Sequence, residues 1–342
     1  MMLCWLTSGM PTYTPPPWTS RFGVTLEGRE SLAEIAVLAR AAEAGGAGTF
    51  WVASHLFLRD PITMALVVLG ATTRLRVALM AMSPYAMHPV HLAMAAATLA
   101  ELHPGRVVLC LGAGAPADRE AAGIAAPQPA KALREALLLC RGLLAGEAVK
   151  LDGDVFRTPG QRSLVGGAAA VPVVLAATRP AMLRVAGRHA DGVLLSGGSA
   201  PAYIRQCLDI VGEAAAGRSV ASISLVYAAP VASAPGRAAA IAGVRRRLAL
   251  VLRGAHHAPN LAAAGTVLDQ ARLMALTQAN DWNAALELIT PQVVTNHAAA
   301  GEPAELAEAF TTLHAAGLDE VALAALTGPA DILATLEAGT RA

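Results

Sequence analysis

Leu75-Arg-Val-Ala-Leu-Met-Ala-Met-Ser-Pro-Tyr-Ala-Met-His88-Pro-Val-His-Leu92 is the stretch that decides the fold. It opens as an apolar run of strand length. Ser83-Pro84-Tyr85 interrupts it, and from Pro89 a helical apolar pattern runs on to Leu102. A strand that delivers polar and ring-bearing residues at its C-terminal end, with a helix carrying the chain away, is the unit of a parallel α/β architecture.

The unit recurs in both directions. Apolar runs predict strands at Arg21–Leu26, Thr49–Ala53, Leu75–Met82, Arg106–Leu111, Val171–Ala177, Asp191–Leu195, Ile223–Ala229 and Leu318–Ala325. They are near-continuous, as expected of strands covered on both faces. Helix signals lie between them. Ser31-Leu-Ala-Glu34 resembles a capping box, Gly45-Gly46 ends that helix, and Asp60-Pro61 opens the next. A helix is predicted from about Ala130 to Leu144, with Arg134, Glu135 and Arg141 on its wetter side. Gly153-Asp-Val-Phe156 suggests a short hairpin. The pattern predicts an α/β fold of the (β/α)8 TIM-barrel type. Insertions fall before strand 5 (Gly146–Gly167) and before strand 8 (Arg237–Ala316, read as helical). An open doubly wound sheet is the competing arrangement. Residues 1–20 read as an irregular N-terminal tail, and 21–342 as a single barrel domain.

The chain has 342 residues, 55% hydrophobic and 15% charged, enough to bury a large core. Its net charge of +1 gives no reason to expect a nucleic-acid partner. Arg245-Arg246-Arg247 reads as a solvated helix face. Val77 to Ala100 contains no Asp, Glu, Lys or Arg, but Pro84, His88, Pro89 and His91 in its middle argue for a buried strand and helix over a membrane span. Cys4, Cys110, Cys140 and Cys207 show neither C-x-x-C nor zinc spacing, which fits a reducing cytoplasm and predicts no metal.

In such a barrel the chemistry sits at the C-terminal ends of the strands. There the sequence places Glu27 and Arg29; Ser54 and His55; Ser83, Tyr85 and His88; Gly112 and Gly114; Thr178 and Arg179; Ser196-Gly197-Gly198-Ser199; and Thr327 and Gly328. His55 is a candidate acid/base, because imidazole titrates near neutrality; a structural histidine is the other reading. Tyr85 offers a ring or a hydroxyl. Gly112-Ala-Gly114 lacks the third glycine of a dinucleotide fingerprint and reads as room for a flat ring. Thr178-Arg179 and Ser196–Ser199 precede helices, where amides and an arginine bind phosphate; the second is equally readable as a plain turn.

Together these motifs resemble the bacterial-luciferase-like family of flavin and deazaflavin oxidoreductases. The branch most resembled contains coenzyme F420-dependent methylenetetrahydromethanopterin reductase. The resemblance rests on Trp51-Val-Ala-Ser-His55-Leu with Arg59-Asp60-Pro61, Ser83-Pro-Tyr-Ala-Met-His88-Pro89, and Gly105-Arg-Val-Val-Leu-Cys-Leu-Gly-Ala-Gly114. Further support comes from Leu133-Arg-Glu135 with Leu144-Ala-Gly-Glu147, Val171-Pro-Val-Val-Leu-Ala-Ala177, and Ala186-Gly-Arg-His-Ala-Asp-Gly-Val-Leu-Leu-Ser196. They stand in family order over roughly Arg21 to Ile210. The resemblance implies a barrel binding a flavin-like ring at its mouth, with F420 as the cofactor and FMN as the alternative. It implies a non-proline cis peptide near Met80-Ala81 or Ala81-Met82 supporting the ring. It assigns the cofactor site to Ser54, Met80, Ala81, Met82, Ser83, Gly112, Gly114, Ala177, Thr178, Arg179 and Ser196–Ser199. His55 or Glu27 handles a proton, and Tyr85 positions the ring. A homodimer acting on a small molecule is also implied. The preferred reaction is F420-dependent hydride transfer to an electrophilic carbon. FMN-dependent monooxygenation and a non-catalytic cofactor-binding barrel are the alternatives. Two positions depart from the family: Ser54 stands where Asp or Glu is common, and Met87 where the reductase branch commonly has Arg.

Overall fold

The computed structural model describes Trp18, residues 20–231 and residues 236–342. Apart from Trp18 and Ser20, the expected N-terminal tail, with Cys4, lies outside the described residues. The strands, in chain order, are β1 (Phe22–Leu26), β2 (Thr49–Ala53), β3 (Arg76–Met82), β4 (Val107–Leu111), β5 (Lys150–Asp152), β6 (Arg157–Pro159), β7 (Val173–Ala176), β8 (Gly192–Leu195), β9 (Ala221–Pro230), β10 (Ala299–Gly301) and β11 (Glu320–Ala324). β1, β2, β3, β4, β7, β8, β9 and β11 pair in parallel, and β11 returns to β1. The ring is closed, so the barrel prevails over the open sheet. The β5–β6 hairpin is separate and antiparallel, and β10 extends the end of β9.

The helices are α1 (Leu32–Ala44), α2 (Pro61–Ala71), α3 (Pro89–Leu102), α4 (Pro116–Ala121), α5 (Pro129–Leu144), α6 (Pro180–His189), α7 (Pro201–Ala215), α8 (Arg237–Leu252), α9 (Ala258–Ala263), α10 (Gln270–Gln278), α11 (Trp282–Glu287), α12 (Pro291–His297), α13 (Pro303–Ala315) and α14 (Pro329–Gly339). Ser31 closes a capping box with Glu34, and Asp60 caps α2 through the Thr63 amide. The stretch expected to be one helical insertion before the last barrel strand is α8 to α13, broken by turns and β10. Much of it packs around its own apolar cluster, including Val244, Leu248, Leu273 and Val294.

Side-chain alternation sorts each strand. Phe50, Val52, Leu79 and Leu109 face outward into the helix layer. Trp51, Ala53, Ala78, Met80, Val108, Cys110, Val174, Leu194, Ile223 and Ala322 fill the barrel. One pole is sealed by a polar knot. The fully buried Glu320 accepts hydrogen bonds from Trp18 Nε1 (2.7 Å), Trp51 Nε1 (2.7 Å) and Thr49 Oγ1 (2.9 Å), with Arg76 at 3.8 Å. Gly23 is required beside it, since a Cβ there falls 2.5 Å from Glu320 Oε1. Burial raises the Glu320 pKa, opposed by these donors and by the Arg76 charge.

Two surface expectations are corrected. Glu135 is buried and accepts from the amides of Asp154, Val155 and Phe156, each at 2.9 Å. A carboxylate that collects three N–H groups is pulled off the wet face of α5 to hold the hairpin turn. The triple arginine is not a free solvated face either. Arg245 donates to the carbonyls of Ile289 (2.8 Å) and Leu286, Arg246 lies 4.0 Å over the Trp282 ring, and Arg247 pairs with Glu27.

Candidate functional site

Parallel strands end at one pole, so Glu27, Ser54, His55, Met80–Ser83, Gly112, Gly114, Ala177–Arg179 and Ser196–Ser199 share one rim. The end of β3 is irregular. The Met80–Ala81 peptide is cis, and the β3–β4 register shifts between Leu79 and Met82. The shift brings Ala81 against Gly112, where an added Cβ would lie 2.7 Å from the Ala81 Cβ. The missing side chain at Gly112 therefore admits the bulge; the space expected for a ring is already filled by Ala81. Ser83 is buried and donates to the Ala113 carbonyl at 3.1 Å. Gly114 packs beside Ser83 in the left-handed region, at φ +79°. Together these contacts lock the β3 and β4 ends to each other.

His55 is exposed on the rim, with Nδ1 3.4 Å from Asp118 Oδ2. Asp118 comes from α4, a one-and-a-half-turn helix in a segment the sequence pattern leaves unassigned. The next residue, Arg119, reaches back beside Gly114, and its Nε is buried without a partner among the described residues. Tyr85 lies within range of the Arg119 charge. Burial raises its phenol pKa, and its hydroxyl donates to the Pro127 carbonyl at 2.6 Å. That hydroxyl is therefore already engaged. His88 caps α3, accepting from the Val90 amide at 3.2 Å.

On the neighbouring strand, just past β1, Glu27 is held by Arg247 of α8 and by Arg29 at 3.7 Å. Tyr227 lies between this pair and Gly197, whose hypothetical Cβ would meet its ring at 2.7 Å. Burial pushes the Tyr227 phenol up to about 12; Arg247 opposes the shift and Glu27 adds to it.

The loops after β7 and β8 stand side by side. Tyr203 donates to the Thr178 carbonyl at 2.9 Å, and Arg179 is exposed at the start of α6. His256 approaches from the insertion; its pKa is lowered by burial and by the Arg179 charge. In the second loop Ser199 Oγ donates to the Ser196 carbonyl at 2.8 Å, and Gly198 is left-handed at φ +75°. The Ser196 hydroxyl is buried and unpartnered among the described residues. A buried hydroxyl without a partner at a glycine loop before α7 is what a phosphate oxygen would satisfy. The strand ends at this pole carry small side chains, Ala53, Ala81 and Ala176. The unpartnered hydroxyl and the glycine loop are of the chemistry that a phosphate-bearing cofactor requires. Thr327, by contrast, is engaged at the start of α14, its hydroxyl 2.6 Å from Asp331.

Several residues at or behind the rim are not identified from sequence: Asp118, Arg119, Tyr227 and Arg247, and the buried Asn260 and His297. Only Arg247 had a signal, as part of the arginine run, and its reading as a solvated face concealed its inward reach.

Comparison with known proteins gives the family. The family model for luciferase-like monooxygenase matches residues 11–320. A 5,10-methylenetetrahydromethanopterin reductase of Archaeoglobus fulgidus is 27% identical over 90% of this chain and 94% of its own. An F420-dependent glucose-6-phosphate dehydrogenase of Nakamurella multipartita is 33% identical over 57% of this chain and 61% of its own. The structure of the coenzyme F420-dependent tetrahydromethanopterin reductase of Methanopyrus kandleri superimposes with a TM-score of 0.83 at 21% identity, covering 93% of this chain and 97% of that one. An FMN complex of the oxygenating constituent of 3,6-diketocamphane monooxygenase from Pseudomonas putida gives 0.69 at 19%, covering 94% and 96%. Matched along most of its length, this chain belongs to the luciferase-like monooxygenase family and is an oxidoreductase of that family.

Proposed function

We propose that the protein is an F420-dependent reductase acting on a small molecule with an electrophilic carbon, in the manner of a methylenetetrahydromethanopterin reductase. The observation that carries the reading is the Ser196–Ser199 loop, with its unpartnered buried hydroxyl at the pole where strand ends carry small side chains. The relative matched over nine-tenths of the chain supports F420. The chemistry supplied by bound F420 is hydride transfer.

The chain's own residues do the rest. Ser196 and the following amides hold the phosphate, and the Ala81 bulge backs the ring. Glu27 is occupied by two guanidinium groups, which leaves His55 as the proton carrier on this rim, oriented through Asp118. Binding both partners at one mouth supplies proximity. The reading extends to a cytoplasmic homodimer. Three unpaired buried cysteines support the compartment, and exposed Leu66 and Met94 on α2 and α3 support the second copy.

The test titrates the purified protein with F420 and with FMN by fluorescence, then follows oxidation of reduced F420 with methylenetetrahydromethanopterin. Tight F420 binding with substrate-dependent oxidation is expected. Tight FMN binding with none of F420 assigns the protein to the second reading, FMN-dependent monooxygenation, which the FMN-bound structural relative favours.

A further inference from the structure

The loop after β8 is gripped from behind by two side chains remote in sequence. Asn260 of α9 is fully buried; its Nδ2 donates to the Gly198 carbonyl at 2.8 Å, and its Oδ1 accepts from the Ala200 amide at 2.9 Å. His297, the last residue of α12, is 3% exposed and donates from Nδ1 to the same carbonyl at 2.8 Å. With Nδ1 the donor, Nε2 accepts from the Thr266 hydroxyl at 2.9 Å, and Thr266 in turn accepts from Asn296 at 2.8 Å. Burial lowers the His297 pKa, with the Gly198 carbonyl opposing, which suits this neutral tautomer.

Packing alone would be met by apolar side chains here. These two polar groups instead both donate to a single carbonyl oxygen, which has two lone pairs to offer. A trans peptide holds its N–H opposite its C=O, so fixing the Gly198 oxygen fixes the Ser199 amide on the other face of the loop. Turning this peptide over would strand two buried donors. The grip therefore suppresses the one motion that would present a carbonyl to an anion.

We propose that Asn260 and His297 are positioning residues for phosphate recognition, clamping the Gly198 carbonyl so that the loop presents N–H and hydroxyl groups to the phosphate of a flavin or deazaflavin cofactor. The proposal rests on the reading of this loop as the phosphate site. It assigns to the inserted α8–α12 segment a part in cofactor binding.

The test uses matched probes: FMN against riboflavin, and F420 against its unphosphorylated deazaflavin core. Each is titrated by fluorescence into the full chain and into His297→Gln, His297→Asn and Asn260→Ala, with thermal melts to verify folding. The wild type should prefer the phosphorylated member of its cofactor pair by about tenfold or more. H297Q and N260A should lose that preference while keeping affinity for the unphosphorylated core. H297N, whose amide can occupy the place of Nδ1, should restore it. Folded variants that keep the full preference overturn the clamp, and so does an equal loss for both members of a pair, which would mark a scaffold role only. A wild type with no preference removes the phosphate reading itself, and the clamp with it; that outcome is distinct from the others because it shows before any variant is made.

Discussion

His55 and Asp118 meet across 63 positions of sequence, one on the loop after β2 and the other on α4 after β4. Neither residue identifies the other in a linear reading. His55 stands out because it directly follows a strand, whereas Asp118 is one of two acids, with Glu120, in an alanine-rich connection. Ser54, beside His55, offers no charge, and Asp118 places a carboxylate 3.4 Å from the imidazole. If it orients that imidazole for proton transfer, Asp118→Asn should lower kcat by roughly tenfold or more while leaving cofactor affinity nearly unchanged. Stopped-flow turnover alongside fluorescence titration checks this, and an unchanged kcat would remove Asp118 from the mechanism. Gly112 is a second single-residue case. A side chain there meets Ala81, so Gly112→Val overpacks the β3 bulge and should cost about 1–3 kcal/mol of stability. A denaturant melt measures it, and a variant as stable as the parent would show that the bulge yields.

At the scale of elements, the strands were legible because both faces of each are covered, giving apolar runs that polar residues interrupt only at the ends. The capping box at Ser31 and the proline starts of α2 and α3 were equally local. α4 was not legible: Pro116–Ala121 is short and has no buried residue, so hydrophobic periodicity cannot reveal it. Glu135 shows the converse failure. It sits in a strongly amphipathic helix, where an acid is normally on the wet face, but the β5–β6 turn supplies three amides that draw it in. Glu135→Ala should leave those amides unpaired, loosen the hairpin and cost about 2–3 kcal/mol. Hydrogen exchange at Asp154, Val155 and Phe156 locates the effect. Protection unchanged at all three would mean that the turn stands without the carboxylate.

Across the whole molecule, the two poles divide the labour. The Glu320 knot closes one end of the barrel with partners drawn from Trp18, β2 and β3, which stabilises it without chemistry. The other end gathers the loops, and the α8–α12 insertion is folded over it from the side of β8 and β9. That insertion carries a buried imidazole, His257, 3% exposed, whose pKa is pushed down to about 4, first by burial and then by neighbouring His256 and His297. In the unfolded chain the same group titrates near its ordinary value of about 6.5. Between these two values the unfolded state binds the extra proton. The associated stability is therefore fully present above about pH 6.5 and is lost as the pH falls toward 4, by an amount on the order of 2–3 kcal/mol. Carboxylates titrate in the same window, so the measurement is a difference. The stability of the wild type and of His257→Gln is taken from urea melts at several pH values from 7 to about 4.5. The gap between them should shift in the variant's favour as the medium becomes acidic, because glutamine takes up no proton. Parallel curves would show that His257 is not the residue through which acid loosens the insertion.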